Sequence, residues 1–199
     1  MKVSIAAIFV LASPLAELAA QQTPAQPVAN PISAAFSGRI RALHRNLAQA
    51  FDSIPAAKFS YKPTAPQQTV GFIAQHLVND NYFFCEKFGA MKPTRVAADT
   101  ATADSVKATW PKDKLVASLK ESFTFCANAF NQLDDTKLPE QVTITAGANS
   151  RQVIRAGMVL GHALDLADHY SQIANYMRLN GMLPPTALPR PGRSGGAGQ

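Results

Sequence analysis

Asp165 and His169 stand four residues apart in the run HALDLADHYSQIANYMRLNGMLPP, residues 162–185. On a helix that spacing stacks one side chain above the other on a single face. Met158, Gly161, His162, Gln172, Ile173 and Tyr176 fall on or beside the same face, so it is mixed rather than apolar. An earlier amphipathic run sets His76 among Ile73, Leu77, Asp80 and Phe84. If the two faces meet, His76, Asp165 and His169 offer two imidazoles and a carboxylate. That set binds a first-row divalent ion such as zinc, nickel or iron and leaves positions open for water or substrate. Such an ion acidifies water, polarises an oxygen, or binds and activates a thiol. Asp80, Asp168 and His162 are the candidate neighbours that orient these ligands. His162 lies seven residues before His169, about 10 Å along a helix axis, so the two do not readily share one ion. It can instead replace His169 in a set with His76 and Asp165. A buried His/Asp cluster also exists as a satisfied polar network without metal, and from spacing alone the two readings stand level.

The elements that must position these residues are helices. Asn30 as cap and Pro31 at the first position predict a helix to about Ser53, with Phe36, Ile40, Leu43, Leu47, Ala50 and Ile54 as its stripe. His44 flanks that stripe as an edge residue with no role. Residues 55–68 hold Pro55, Pro63 and Pro66 and form a loop. Thr69 caps a second helix, running to about Phe88. A polar connection of 22 residues, Ala90–Pro111, follows, with a helical turn near Asp104–Thr109. A third helix spans about Lys112–Leu133, with Leu115, Leu119, Phe123, Cys126 and Phe130 inward. Thr136–Asn149 reads as a loop, since the alternation Val142-Thr143-Ile144-Thr145 is too short to establish a strand. Asn149 or Ser150 caps a fourth helix to about Asn180, which Gly181 and Pro184–Pro185 end. Four amphipathic helices make an all-α four-helix bundle.

The 199 residues are 47% hydrophobic and 16% charged, enough for one packed domain, placed at 31–186. Residues 1–20 read as a signal peptide: Lys2, an apolar run Val3–Leu15, then a small-residue cleavage site after Ala20. Export, most simply to a bacterial periplasm, is the expectation. Pro14, Glu17 and the shortness of the run argue against stable membrane insertion once the leader is removed. Residues 21–30 form a disordered spacer and 187–199 a disordered tail. The net charge of +6 is scattered, and no basic stripe interleaves with aromatics, so nucleic acid is not an expected partner. Gly157 and Gly161 form a GxxxG that favours close packing; a homodimer is compatible with it. The absence of CxxCH excludes ordinary covalent c-type haem. A Met/His haem ligand pair is not singled out by any spacing.

The runs TVGFIAQHLVNDNYFFC, SFTFCANAF and DHYSQIANYMRLNGMLPP, with FSYKPTAPQQTVG before the second helix, together resemble the DinB superfamily of four-helix-bundle metalloenzymes. The resemblance covers about residues 33–186. It implies a bundle whose second and third helices run parallel, joined by a long crossover, which the Ala90–Pro111 connection is long enough to supply. Members commonly use one histidine on the second helix and two, four residues apart, on the fourth. His76 matches the first and His169 the last, while Asp165 stands at the middle position. That departure marks either a carboxylate ligand with a different metal preference or a decayed site.

The resemblance implies a metal-dependent enzyme acting on a small molecule whose identity the sequence leaves open. Thiol-dependent transferases, isomerases and hydrolases are the activities it brings. Export weighs against thiol transfer, so metal-assisted hydrolysis is the nominal reaction, with only Asp80 beyond the ligands as a general base. The competing reading is a non-catalytic exported binding or stress-related bundle with a degraded site. In the parallel arrangement, Cys85 and Cys126 lie at similar depths in the second and third helices, which implies a disulfide between them.

Overall fold

The structure, a computed structural model, describes residues 27–189. The expected signal peptide, most of the spacer and the last ten residues lie outside this range. Six helices and one hairpin follow in order. They are α1 (Pro31–Ser53), α2 (Val70–Cys85), α3 (Ala97–Ala101), α4 (Asp104–Lys107), α5 (Lys112–Phe130), β1 (Gln141–Ala146), β2 (Asn149–Ile154) and α6 (Arg155–Leu179).

The four long helices α1, α2, α5 and α6 form the bundle, and their inward stripes make one core. Ile40, Leu47, Phe51, Ile73, Leu77, Leu119, Leu166 and Ile173 are all buried in it. Each such side chain contributes roughly 1.5–3 kcal/mol through removal from water. Helix α2 lies parallel to α5 in a constant register. Asn81 donates to Ser122 across 2.8 Å, Cys85 is joined to Cys126, and the Ala90 amide donates to Gln132. Residues 86–111 therefore cross back over the length of the bundle, and α3 and α4 sit within that crossover. The sequence indicated only a turn near Asp104 there.

The helix ends show where local rules held and where a distant residue took over. Thr69 caps α2 as expected, its hydroxyl accepting from the Phe72 amide at 3.1 Å. Gly181 has φ +71° and closes α6, with its own amide bonded to Arg178 and the Met182 amide to Met177. Asn30 precedes α1 but its side chain does not cap it. The cap comes instead from Asp135, whose carboxylate accepts from the amides of Ile32 and Ser33 and from the Ser33 hydroxyl. Asn30 accepts from the Asp135 amide in return. Helices α2 and α5 stop about three residues earlier than their apolar periodicity does, in turns that carry Phe88 and Leu133 into the core.

The expectation of a loop before the last helix is corrected. Residues 141–154 form an antiparallel hairpin in which Val142 faces Val153 and Ile144 faces Arg151. Gly147, at φ +59°, supplies the turn conformation that a residue with a Cβ resists. Val142, Ile144 and Val153 pack on the bundle, while Thr143–Gln152 and Thr145–Ser150 hydrogen bonds knit the wet face. Asn149 and Ser150 consequently belong to β2 and cap nothing. Helix α6 starts at Arg155 without a side-chain cap, held by Arg155 and Ala156 amides donating to Glu140 and Leu138 carbonyls. Of the GxxxG pair, Gly161 is the one that permits close approach, since a Cβ there would press on the Phe84 ring at 3.1 Å. Among the described residues no helix is long and apolar enough to cross a membrane.

Candidate metal centre

Helices α2 and α6 run antiparallel, and their neighbouring faces bring His76 and Asp80 against Asp165 and His169. One donor atom from each of the four lies within 4.8 Å of every other. The His76 and His169 rings meet nearly at right angles, 81°, with centroids 4.9 Å apart. Within α2, His76 Nε2 is 2.9 Å from Asp80 Oδ2; within α6, His169 Nε2 is 3.4 Å from Asp165 Oδ1. Both pairs are products of the four-residue helical spacing. The structure thus unites the three residues read from sequence and adds Asp80 as an equal member.

The cluster is half-buried, at the rim of the interface rather than in its centre. Its hydrogen bond to Asp80 raises the pKa of His76, with the charges of Asp80, Asp165 and Asp104 adding to this and partial burial opposing it. Two donors stay without partners: Asp165 Oδ2 and His169 Nδ1 are buried and make no hydrogen bond. An orphaned carboxylate oxygen is costly unless something cationic or protic completes it. Two imidazoles and two carboxylates, with donor atoms this close, fit a divalent cation in both charge and chemistry.

The other residues read as neighbours of the site lie elsewhere. Asp168 follows the helix round to the solvent side, where it accepts from Gln172 at 2.7 Å. His162 is two turns deeper, fully buried, with Nε2 3.6 Å from Cys85 Sγ and 3.8 Å from Cys126 Sγ. It belongs to no set with His76 and Asp165. His44 is a second correction. It is buried rather than at an edge, stacks on Phe123 at 4.2 Å and meets the His162 ring at 5.7 Å. The signal was present, because Ile40, Leu43, His44 and Leu47 follow the i, i+3, i+4, i+7 pattern of an inner face. Burial drives the pKa of His44 down to about 3 and that of His162 well below its ordinary value.

Beside the cluster runs a groove of about 670 Å³, lined among others by Phe59, Lys62, Gln68, Phe72 and Trp110. The Phe72 ring also stacks on His76, centroids 6.0 Å apart, so the groove comes within one aromatic ring of the candidate ligands.

Residues 39–173 match the profile described as the DinB superfamily. No curated protein matches the chain. Among solved structures it is similar to YfiT from Bacillus subtilis, described as a probable metal-dependent hydrolase with an unusual four-helix bundle topology. That likeness has 15% identity and a TM-score of 0.56, over 80% of this chain and 94% of that one. It is similar at 15% identity and TM-score 0.54 to a conserved protein from Enterococcus faecalis, covering 74% of this chain and 96% of the other. A mycothiol-dependent maleylpyruvate isomerase aligns at 13% identity and TM-score 0.56, over 71% of this chain. This chain spans only 60% of that enzyme's length. At these identities the likeness establishes the fold.

Proposed function

Because the chain belongs to the DinB superfamily, we propose that it is a divalent-metal-dependent enzyme, nominally a hydrolase of a small molecule, with His76, Asp165 and His169 as ligands. The observation that carries this reading is the convergence of one donor atom from each of His76, Asp80, Asp165 and His169 within 4.8 Å, on residues two of which keep a buried, partnerless polar atom, Asp165 Oδ2 and His169 Nδ1. The description of YfiT as a probable metal-dependent hydrolase supports it. A divalent ion bound there supplies Lewis acidity to water and to a substrate oxygen. The chain's residues do the rest. His169 and Asp165 hold each other's orientation on α6, and Asp80 fixes the His76 ring through Nε2. Asp80 is also the carboxylate best placed to take a proton from water. The neighbouring groove, of a size typical for small ligands, is the proposed substrate site. Export to a periplasm, expected from the sequence of residues 1–20, is part of this proposal; reduced small thiols are scarce there, which favours hydrolysis over thiol transfer.

A second reading has one observation in its favour. Each histidine already pairs with a carboxylate on its own helix, as in a polar network that has outlived its metal. Elemental analysis of untagged protein purified without chelator separates the two. The enzyme reading expects close to one zinc, nickel or iron per chain; a metal-free protein that stays so after reconstitution contradicts it.

A further inference from the structure

The middle of the bundle holds a second convergence of donors, distant from the first site and independent of the reading just given. His44 comes from α1, Cys85 from α2, Cys126 from α5 and His162 from α6, one residue from each long helix. All four are buried, Cys85, Cys126 and His162 completely. His44, Cys126 and His162 offer donor atoms within 4.8 Å of one another. His162 Nε2 faces both sulfurs, at 3.6 and 3.8 Å. In a tetrahedral zinc site with Zn–S of about 2.3 Å and Zn–N of about 2.0–2.1 Å, sulfur and nitrogen stand roughly 3.6 Å apart. The spacing of His162 to both sulfurs is therefore already that of a metal centre, while His44 comes within 4.8 Å of Cys126 and must close further on Cys85 once the sulfur–sulfur bond opens.

Neither imidazole is satisfied as the core stands. His44 Nε2 and His162 Nδ1 have no hydrogen-bond partner, and Nε2 of His162 has only sulfur. Sulfur is a weak acceptor, so four helices converge on polar atoms that the fold leaves underused.

We propose that reduction of the Cys85–Cys126 disulfide turns the centre of the bundle into a second metal site, with His44, Cys85, Cys126 and His162 as ligands for zinc or another thiolate-preferring divalent ion. The electrons and protons balance. A dithiol gives up two electrons and two protons and leaves as its own disulfide, while Cys85 and Cys126 become thiols. Each thiol then releases one proton as it binds the ion. Two thiolates, two neutral imidazoles and a dication sum to zero charge, which a dry interior tolerates far better than an isolated ion. Burial keeps both imidazoles unprotonated and free to ligate.

Cobalt(II) tests this directly, because only cysteine thiolate gives a sulfur-to-cobalt charge-transfer band and the chain has just two cysteines. Oxidised protein, and protein reduced with a dithiol and freed of it under argon, are titrated side by side with cobalt(II). Helical content is followed by circular dichroism. The expected result is one additional equivalent bound by the reduced, still helical protein, with the charge-transfer band and the visible bands of four-coordinate cobalt. The oxidised protein shows no such band whether or not the first site takes up cobalt, so failure at one site is distinguishable from failure at the other. Comparing two redox states of one chain requires no variant to fold; Cys126→Ser is expected to abolish the band. No extra equivalent, no thiolate band, or a band that arises only as helicity is lost would each overturn the proposal.

Discussion

His76 on α2 and His169 on α6 meet ring against ring, 4.9 Å apart, although 93 residues separate them in the chain. Phe72 stacks on His76 from within α2, but that contact does not bring the two helices together. The rings are carried in by the packing of Ile73 and Leu77 on one helix and Leu166 and Ile173 on the other, all buried. Each imidazole then sits beside a carboxylate four residues from it, on the same helix.

Ligand variants follow from that geometry. His76→Ala and His169→Ala are expected to lower metal affinity at least about 100-fold, since each removes one donor of a three-ligand set. Asp165→His is expected to keep binding and to shift preference toward imidazole-loving ions. Asp168→Asn should change nothing, its carboxylate being bonded to Gln172 on the solvent side. Competitive titration with a chromogenic chelator measures all four, and undiminished affinity in Asp165→Ala would show that this carboxylate never reached the ion.

Acid should weaken the fold through the two core histidines. His44, held near a pKa of about 3, and His162, pushed well below its usual value, stay neutral when folded and protonate near 6.5 when unfolded. Above pH 6.5 neither state takes the proton and stability is fully present. As pH falls from there toward 3 the unfolded chain gains a proton that folded His44 excludes, at roughly 1.4 kcal/mol per pH unit, and His162 acts in the same direction. His76 acts with the opposite sign, its raised pKa contributing fully below 6.5 and fading as pH rises through its folded value. Urea unfolding at pH 6.5 and 4.5 should therefore differ by several kcal/mol; equal midpoints at the two values would refute the assignment.

How far the site could be read from the chain depended on which contacts were local. The i, i+4 spacing made Asp165–His169 visible, and the apolar company of His76 pointed it inward. Register between helices was not written in either pattern. Asp80 was read as an outside partner because nothing in α2 alone fixes its distance to α6. His162 was read too close to the site, because a seven-residue step keeps the face while moving the side chain two turns down the axis. The hairpin was missed because Ser150, Arg151 and Gln152 give β2 no apolar alternation, so only pairing with β1 reveals it. Asp135 as a cap lies beyond any local rule, since it reaches α1 from 102 residues away.

That distant cap has a measurable consequence. Asp135→Ala removes the acceptor for the Ile32 and Ser33 amides while leaving the core untouched. The first turn of α1 should fray, seen as faster hydrogen exchange across residues 32–35 with little change in the middle of the helix. Unchanged exchange there would mean that water serves those amides equally well.

The Cys85–Cys126 bridge closes a separation of 41 residues between α2 and α5, with Cα atoms 5.1 Å apart. Denatured, unreduced protein should show no titratable thiol. The Cys85→Ala/Cys126→Ala variant should lose about 2–4 kcal/mol of stability in denaturant unfolding. Two free thiols per chain in the native preparation would contradict the bridge.

The most direct measurement is anomalous diffraction from crystals of the oxidised protein grown with zinc, nickel or iron and recorded at the absorption edge of the ion. The expected result is one strong peak per chain between α2 and α6, at about 2.0–2.2 Å from donors of His76, Asp165 and His169. A peak lying elsewhere, or none at saturating metal, would contradict a metal centre at that position.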